Sequence, residues 1–546
     1  MYVMPPPPPA NAGFSMPMFK TFVPESLRPW LYVLTAFCFQ FSNGFYLGSL
    51  EDIQGATNFM IEDLLMCLYA TLAGMAIYFP LLFRMKFRFT NKQLLCASAV
   101  TVGVCNMLVL HTQNLPLLWV LCFISGMAKI QGTFECMSNI QLWITPKRDF
   151  GVFFPVLHII LLTSIEGSGF VAAWLGYHLS WEMMHYVTVA TMCFVILVQI
   201  LCCKPFCPMP KPLSLKGIDF FGALVVCILM LTVSYIFLYG DYKMWFYNRN
   251  LRILAGLSLI LLAYLMYHFT HINNPYITSK VFTSKNVVAI WIAIAMAEIL
   301  LGSQHTIEEI VYSEVYDLEP LTKEKLLMCV LPGIYTGIFI SIMWLAVWKF
   351  KVWKLLAIGF GSIAIYAFGF YILLDVNINI EQFRVPIFFR GIGYAILSAS
   401  LMWSLEQVIH DLEHFFMGLS VFNIFHMYLA GAVGYAIYTT LFNHYMNDDL
   451  SRYGANLTLS QIDMSSFNFS EYMEQFLKSQ MAVAAKQVFG IVLWLSIFTT
   501  AIFLLLDIPA IRRRFDKIPS WQTVGFNQLR RLSAIKWIKN ISHNKS

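Results

Sequence analysis

Seven ionisable residues lie inside long apolar runs of this chain: Lys129, Glu135, Glu166, Glu298, Glu308, Glu309 and Arg390. A charge at the centre of a bilayer costs about 2.5–3.5 kcal/mol on insertion scales, so each side chain needs a partner, a cavity or a function. The chemistry open to such a carboxylate is proton exchange, taken up from one aqueous side and released to the other when access alternates. Counting along the runs puts Lys129, Glu166 and Glu298 nearest the midplane, Glu135 toward one face, and Glu308, Glu309 and Arg390 toward the other. Glu298, His305 and Glu309 are spaced seven and four apart and so share one helix face. Glu298 is a candidate proton carrier, or else one arm of a structural ion pair with a base such as Lys129. Glu309, with Glu308, stands near a helix end, where emergence into water is the simpler reading.

The run Lys129-x-Gln131-Gly132-x-x-Glu135 is the unusual feature of the fourth apolar segment. Lys129 and Gln131 point about 200° apart on a helix, whereas Gln131 and Glu135 share a face. Lys129 or Glu135 can pair with Glu166 on the next helix. That bridge either breaks during a conformational cycle or permanently locks two helices of one bundle, and the lock is favoured because both helices belong to the same half. Trp291, Tyr335, Tyr366 and Trp403 line an aromatic pocket or belong to the core. Lys129, Gln131, His305 and Arg390 join Trp291, Tyr335 and Trp403 as cavity candidates.

No Walker loop, dinucleotide Gly-x-Gly-x-x-Gly or metal-spaced Cys/His set appears. An enzyme could use only His410-Asp411-x-x-His414, two histidines beside carboxylates that fall in a short loop. An ion gradient, with no cofactor, is therefore the expected energy source, and one proton moving through 100 mV supplies ~2.3 kcal/mol.

The elements that must position these groups follow from composition. Of 546 residues, 58% are hydrophobic and 12% charged, with a mean hydropathy of +0.66, which excludes a set of soluble domains. Apolar runs begin near Trp30, Leu64, Leu94, Leu117, Val152 and Tyr186, then at Ile218 and Leu251, then near Val287, Leu326, Val352, Val385, Phe415 and Val488. Most approach the ~20 residues that span a bilayer. The spacing predicts an all-α integral membrane protein of fourteen helices arranged as six, two and six. Its divisions are a disordered arm (1–29), a six-helix bundle (30–203), a two-helix hairpin between basic bridges (204–285), a second bundle (286–510) and a basic tail (511–546). A long polar loop is expected at 443–486, carrying the sequons Asn456-Leu457-Thr458 and Asn468-Phe469-Ser470. Of the 36 Lys and Arg, 25 fall on the side that holds both termini and nine on the other, which predicts that the termini are cytoplasmic. The net charge of +6 thus reads as topology signal rather than affinity for nucleic acid. The twelve cysteines lie in apolar runs or at helix ends. They read as buried thiols, with Cys202, Cys203 and Cys207 as a possible lipidation or metal cluster. An internal repeat links Arg84-Met85-Lys86-Phe87-Arg88 and Lys92 to Lys349-Phe350-Lys351-Val352 and Lys354, each after the second helix of its block.

The hairpin carries Asp219-Phe220-Phe221-Gly222, Trp245-Phe246, and Asn274-Pro275 followed by Val281-Phe282 and Asn286. As an ordered set these resemble the central helix pair of the fourteen-helix drug:proton antiporters of the major facilitator superfamily. Trp174-Leu175, Leu179-Ser180-Trp181, Arg390-Gly391-Ile392-Gly393 and Gly431-Ala432-Val433-Gly434 extend the resemblance over roughly residues 30 to 510. It implies a major facilitator fold, proton-coupled export of small amphipathic compounds (multidrug-type efflux) by alternating access, and a bacterial inner membrane. It also implies a periplasmic adaptor and an outer-membrane channel as partners, besides the bilayer. Arg84, Lys86, Arg88 and Lys92 take the place of the family's gating loop. There Phe87 replaces the aspartate, Cys122 stands where the fourth helix usually has arginine, and Ser168-Gly169-Phe170-Val171-Ala172-Ala173 keeps the small residues of the fifth-helix antiporter motif without its proline. These departures keep a second expectation open, a transporter-like sensor or scaffold without transport; a carrier of one narrow substrate is the third. The proton-coupling candidates are Glu298, Glu166, Glu135 and Glu309.

Overall fold

The computed structural model describes residues 19–506, apart from 44–46, 147–148, 207–214, 216, 273, 284–286, 410 and 455–468. Its membrane helices are α1 (Arg28–Phe41), α2 (Ile61–Lys86), α3 (Asn91–His111), α4 (Leu115–Ile144), α5 (Phe150–His178), α6 (Met183–Cys202), α7 (Phe220–Leu238) and α8 (Arg249–His271). They continue as α9 (Val287–Val315), α10 (Pro320–Val347), α11 (Val352–Leu373), α12 (Ile380–Val408), α13 (Glu413–Arg452) and α14 (Met473–Leu506). The last thirteen are long and apolar enough to cross a membrane, and α1, with 14 residues, completes the expected fourteen. Polar residues placed just before the apolar runs start these helices: Thr90 and Gln93 form a capping box at α3, and Asn114, Asp149 and Asp219 accept first-turn amides at α4, α5 and α7. Among the described residues the only β pairing is the isolated bridge between Phe19 and Cys203.

The six helices of each half pack alike. In the first, α2 and α3 both pack on α4, α3 on α6 and α1 on α5; in the second, α10 and α11 pack on α12, α11 on α14 and α9 on α13. Glycines sit at matching crossings. A Cβ on Gly126 of α4 would come within 3.1 Å of the Thr71 Cα of α2, and one on Gly391 of α12 within 3.1 Å of the Gly333 Cα of α10. Backbones can approach that closely only where side chains are absent, and in lipid such packing takes the place of a hydrophobic drive. The duplication suggested by the short basic repeat is thus visible in the packing.

The halves meet where α2 packs on α13 and where α5 packs on α10 and α12. Proline helps make the first contact. Pro80 has no amide to give the Ala76 carbonyl one turn earlier, and that carbonyl instead accepts the Ser420 hydroxyl of α13 at 2.7 Å. The neighbouring Ile77 carbonyl accepts the Tyr276 hydroxyl from the segment after α8. Asp219 caps α7 through the Gly222 amide (2.8 Å) and also takes His268 Nε2 of α8 (2.8 Å) and the Tyr276 amide (3.3 Å). The hairpin is thereby fastened to α2, and α7 lies on α2 and α13 while α8 faces away from the bundle.

Two boundaries differ from expectation. The arm read as disordered through residue 29 is ordered from Phe19: Phe19 and Val23 are buried, and the Lys20 amide donates to the Cys202 carbonyl at 2.8 Å. The polar stretch after Asn443 is largely helical. Asp448 and Arg452 pair at 2.7 Å and Glu474 and Lys478 at 2.9 Å, each one turn apart, while Gln487 reaches Asp449 at 3.0 Å. These contacts carry α13 and α14 beyond their apolar runs. Asn456, Asn468 and the tail lie outside the described residues.

Candidate functional site

A charged cluster occupies the seam between the halves. Arg390 of α12 and Glu308 of α9 form an ion pair whose side chains are 5% and 2% exposed, with the buried Tyr312 and Tyr366 beside it. Arg390 Nε and Glu308 Oε1 have no hydrogen-bond partner among the described residues. Glu166, from α5 of the other half, lies within electrostatic reach of both. Glu324, near the start of α10, sets its carboxylate against Gly169, one turn along α5 from Glu166; a Cβ there would stand 3.2 Å from Oε2. Three carboxylates thus face one guanidinium, leaving negative charge that a proton can neutralise.

Farther toward the same membrane face, buried Lys323 pairs with Glu309 of its own half and, at 3.0 Å, with Glu51 of the other. Asp52, beside Glu51 on the short helix Leu50–Ala56, is held above the usual carboxylate range, mainly by burial and then by the Glu51 charge.

The face bearing Arg28 is also closed across the seam. Arg84 of α2 reaches Glu413 of α13 at 3.1 Å. Phe416 of α13 packs on Phe83 and Phe134, and Phe415 packs on Phe154. Of the other gating-loop candidates, Lys86 bonds Ser138 and pairs with Glu135 at 3.5 Å, Arg88 lies over the Phe89 ring, and Lys92 reaches the Ile200 carbonyl at 3.4 Å. Of the four, Arg84 makes an ion pair across the halves.

The partners expected for Lys129, Glu135 and Glu298 are corrected. Lys129 Nζ donates to Asn43 Oδ1 at 2.6 Å, Glu135 pairs with Lys86, and Glu298 pairs with His426 of α13 at 2.8 Å. The reason is helix adjacency: α4 packs mainly on α1, α2 and α3, not on α5, so its Lys129–Thr133 face meets α1, where Gln40 bonds Thr133 at 2.8 Å. Gln131, on the other side of α4, is buried with neither amide atom partnered among the described residues.

The aromatic candidates divide. Tyr335 is 43% exposed and bonds Thr163 of α5 across the seam at 3.2 Å. Trp291 is instead core, stacked on Phe425 with its indole N–H on the Val281 carbonyl at 3.2 Å. Tyr366 is fully buried, and Trp403 packs against the core. The His305 side chain and His410 lie outside the described residues, and His414 bonds Asp411 of its own turn at 3.1 Å. Among the described residues no group of His, Cys, Asp and Glu has metal-holding geometry. Cys207 also lies outside them, and burial pushes the Cys203 thiol up to about 12.

Sequence reasoning missed Glu324, Lys323, Glu51 and His426. Pro320 at the first helical position was a signal that the charged run Glu319 to Lys325 begins a helix rather than forming a loop. His426 offered none, being one uncharged residue in an apolar run.

No protein-family model matches this chain, and no curated protein matches it in sequence. Solved structures do resemble it. A proton-dependent oligopeptide transporter superimposes with a TM-score of 0.54 and 12% identity over 88% of this chain and 99% of its own. Tetrameric PepTSo2 gives 0.56 and 12% over 89% and 99%, and the nucleoside transporter NupG 0.51 and 11% over 88% and 100%. Identity this low carries the fold alone: the chain is an all-helical, multi-pass membrane protein with the fold of these solved transporters.

Proposed function

We propose that this protein is a secondary active transporter that moves a small solute by alternating access, with protons as the coupling ion. The observation that carries the reading is the placement of Glu166: a mid-membrane carboxylate from one half, facing the Arg390–Glu308 pair of the other. Rocking of the halves changes what surrounds Glu166, which is the requirement for coupling proton binding to access. Contacts across the seam near both membrane faces, Arg84 with Glu413 and Lys323 with Glu51, supply gates that such a cycle would open in turn.

Export of small amphipathic compounds, the expectation from the antiporter resemblance, is the first substrate reading. A second, one narrow polar solute, is favoured by the aromatic residues: Trp291 and Tyr366 are packed away, while Glu166, His426 and the Tyr335–Thr163 pair retain exposed surface in the seam. Proteoliposomes holding a pH-sensitive dye decide between them when challenged in turn with ethidium, a dipeptide and a nucleoside. Proton flux driven by one of these, and lost in Glu166→Gln, is expected. Ethidium alone selects the drug reading, and a polar solute alone the second. No flux with any solute, from protein shown to be folded, overturns the transport reading in favour of a sensor or scaffold.

A further inference from the structure

Helix α13 is broken in its middle. Residues His426–Ala432 form a π-helical segment, and Gly431 leaves helical geometry at φ −91°, ψ −111°. Wide turns of this kind occur often at functional sites and are identifiable places for a helix to bend. The break is held from two sides. On α9, Glu298 bonds His426 at 2.8 Å, and one turn later a Cβ on Gly302 would stand 3.2 Å from the Ala430 Cα. On α2, in the other half, the Tyr69 ring fills the place of a side chain at Gly431, with Cζ 3.0 Å from a Cβ built there.

The part of α13 before the break makes the contacts that close the Arg28 face. Glu413 pairs with Arg84, Phe415 and Phe416 pack on Phe154, Phe83 and Phe134, and Ser420 bonds the Ala76 carbonyl. A change of bend at His426 would therefore displace all of these together.

We propose that the Glu298–His426 pair is a proton-binding site separate from the seam cluster, and that its occupancy sets the bend of α13 and so the closure of the Arg28 face. His426 keeps 31% of its side-chain surface accessible although it lies deep in the bundle, so a proton can reach it from the seam, while Glu298 behind it is 7% exposed. One added proton makes imidazolium against carboxylate, a neutral pair suited to a closed, dry site. Removing it leaves one net negative charge in the membrane interior, which is relieved by admitting water or a cation. Among the described residues, Tyr394 of α12 interacts with Glu298, Tyr69 of α2 lies against Gly431 of the break, and Tyr428 faces Ser234 and Cys227 of α7. Glu166 and Arg390 lie beyond Tyr394. The bound proton is therefore the charge that decides this site.

The inference shares the proton with the proposed function but needs no substrate, so its test stands apart. Leu81 and Met417 line one cavity between α2 and α13 at this face. With Leu81→Cys and Met417→Cys in the full chain, bismaleimide cross-linking is followed from pH 5 to 9, the parent protein giving the background from native thiols. Cross-linking is expected to fall severalfold as pH rises, and Glu298→Gln and His426→Gln should each flatten the profile at unchanged membrane level and monodispersity. Glu166→Gln should keep the profile while abolishing coupled transport. A flat profile in the starting protein, an unchanged profile in both pair variants, or its loss in Glu166→Gln would each overturn the proposal.

Discussion

The carboxylate of Glu324 on α10 lies against bare Gly169 on α5, so that a Cβ at that glycine would stand 3.2 Å from Oε2 and 3.3 Å from Oε1. It also lies beside Gly48, where a Cβ would stand 3.1 Å from Oε1. Two glycines of one half thus form the notch that receives an acid from the other. In the fifth helix here, small Gly169 receives a charged side chain and not only a helix backbone.

Gly169→Ala and Gly48→Ala should differ. At Gly169 the obstacle is the end of a flexible Glu324 side chain, which can yield a few tenths of an ångström, whereas at Gly48 the added Cβ would run into the Gly169 backbone carbonyl. The first is expected to lower transport on the order of twofold and the second on the order of tenfold, since packed backbone does not give way. Initial transport rates normalised to membrane protein would show it; equal losses would place the notch elsewhere.

The Arg390–Glu308 pair should behave as a buried pair does. Arg390→Ala leaves Glu308 as an uncompensated charge and is expected to cost about 3–5 kcal/mol, while Arg390→Met with Glu308→Leu recovers most of the stability. Thermal denaturation in detergent compares the three proteins. Transport should be lost in both variants, because the double change restores packing without the charges that face Glu166.

Ser420 and Pro80 act on the same carbonyl. Ser420→Ala removes the bond to Ala76, at a cost of about 1 kcal/mol to the closed seam. Pro80→Ala supplies a backbone amide that competes for that acceptor. Each change should raise opening of this face roughly fivefold, and the double variant should resemble either single one. Cross-linking between cysteines at Leu81 and Met417 reads the opening; strictly additive effects would count against the shared acceptor.

Asp52 makes a prediction about pH. Its folded-state titration is shifted upward by burial and then by the Glu51 charge. Stability contributed by the neutral acid is therefore complete below the unfolded value, ~3.9, and is lost as pH rises through the folded value. Asp52→Asn should leave the Tm unchanged near pH 4 and raise it slightly, about 1–2 °C, at pH 7.5. A larger gain at low pH would reverse the sign of the argument.

Helix number, the six-two-six division and the charges that stand inside apolar runs could be read from residue order, because lipid requires long apolar runs and makes each charge within them conspicuous. Partner choice could not be. Lys129 finds Asn43 and Glu298 finds His426 because α4 packs on α1 and α9 packs on α13, and helical periodicity states which way a side chain points without stating which helix lies there. Glu324 and Lys323 were hidden in a charged stretch that resembled a loop until tertiary packing placed it at the start of a buried helix. The ends of α13 and α14 show the converse: one-turn ion pairs and the Gln487–Asp449 contact keep polar sequence helical beyond the apolar runs. The sequence by itself determined a fourteen-helix membrane protein with ionisable groups in its interior, since both follow from local composition. Only the tertiary structure decided that Glu166, Glu324, Glu308 and Arg390 share one seam, since they come from four helices that the chain order separates and only the packing of the two halves brings together.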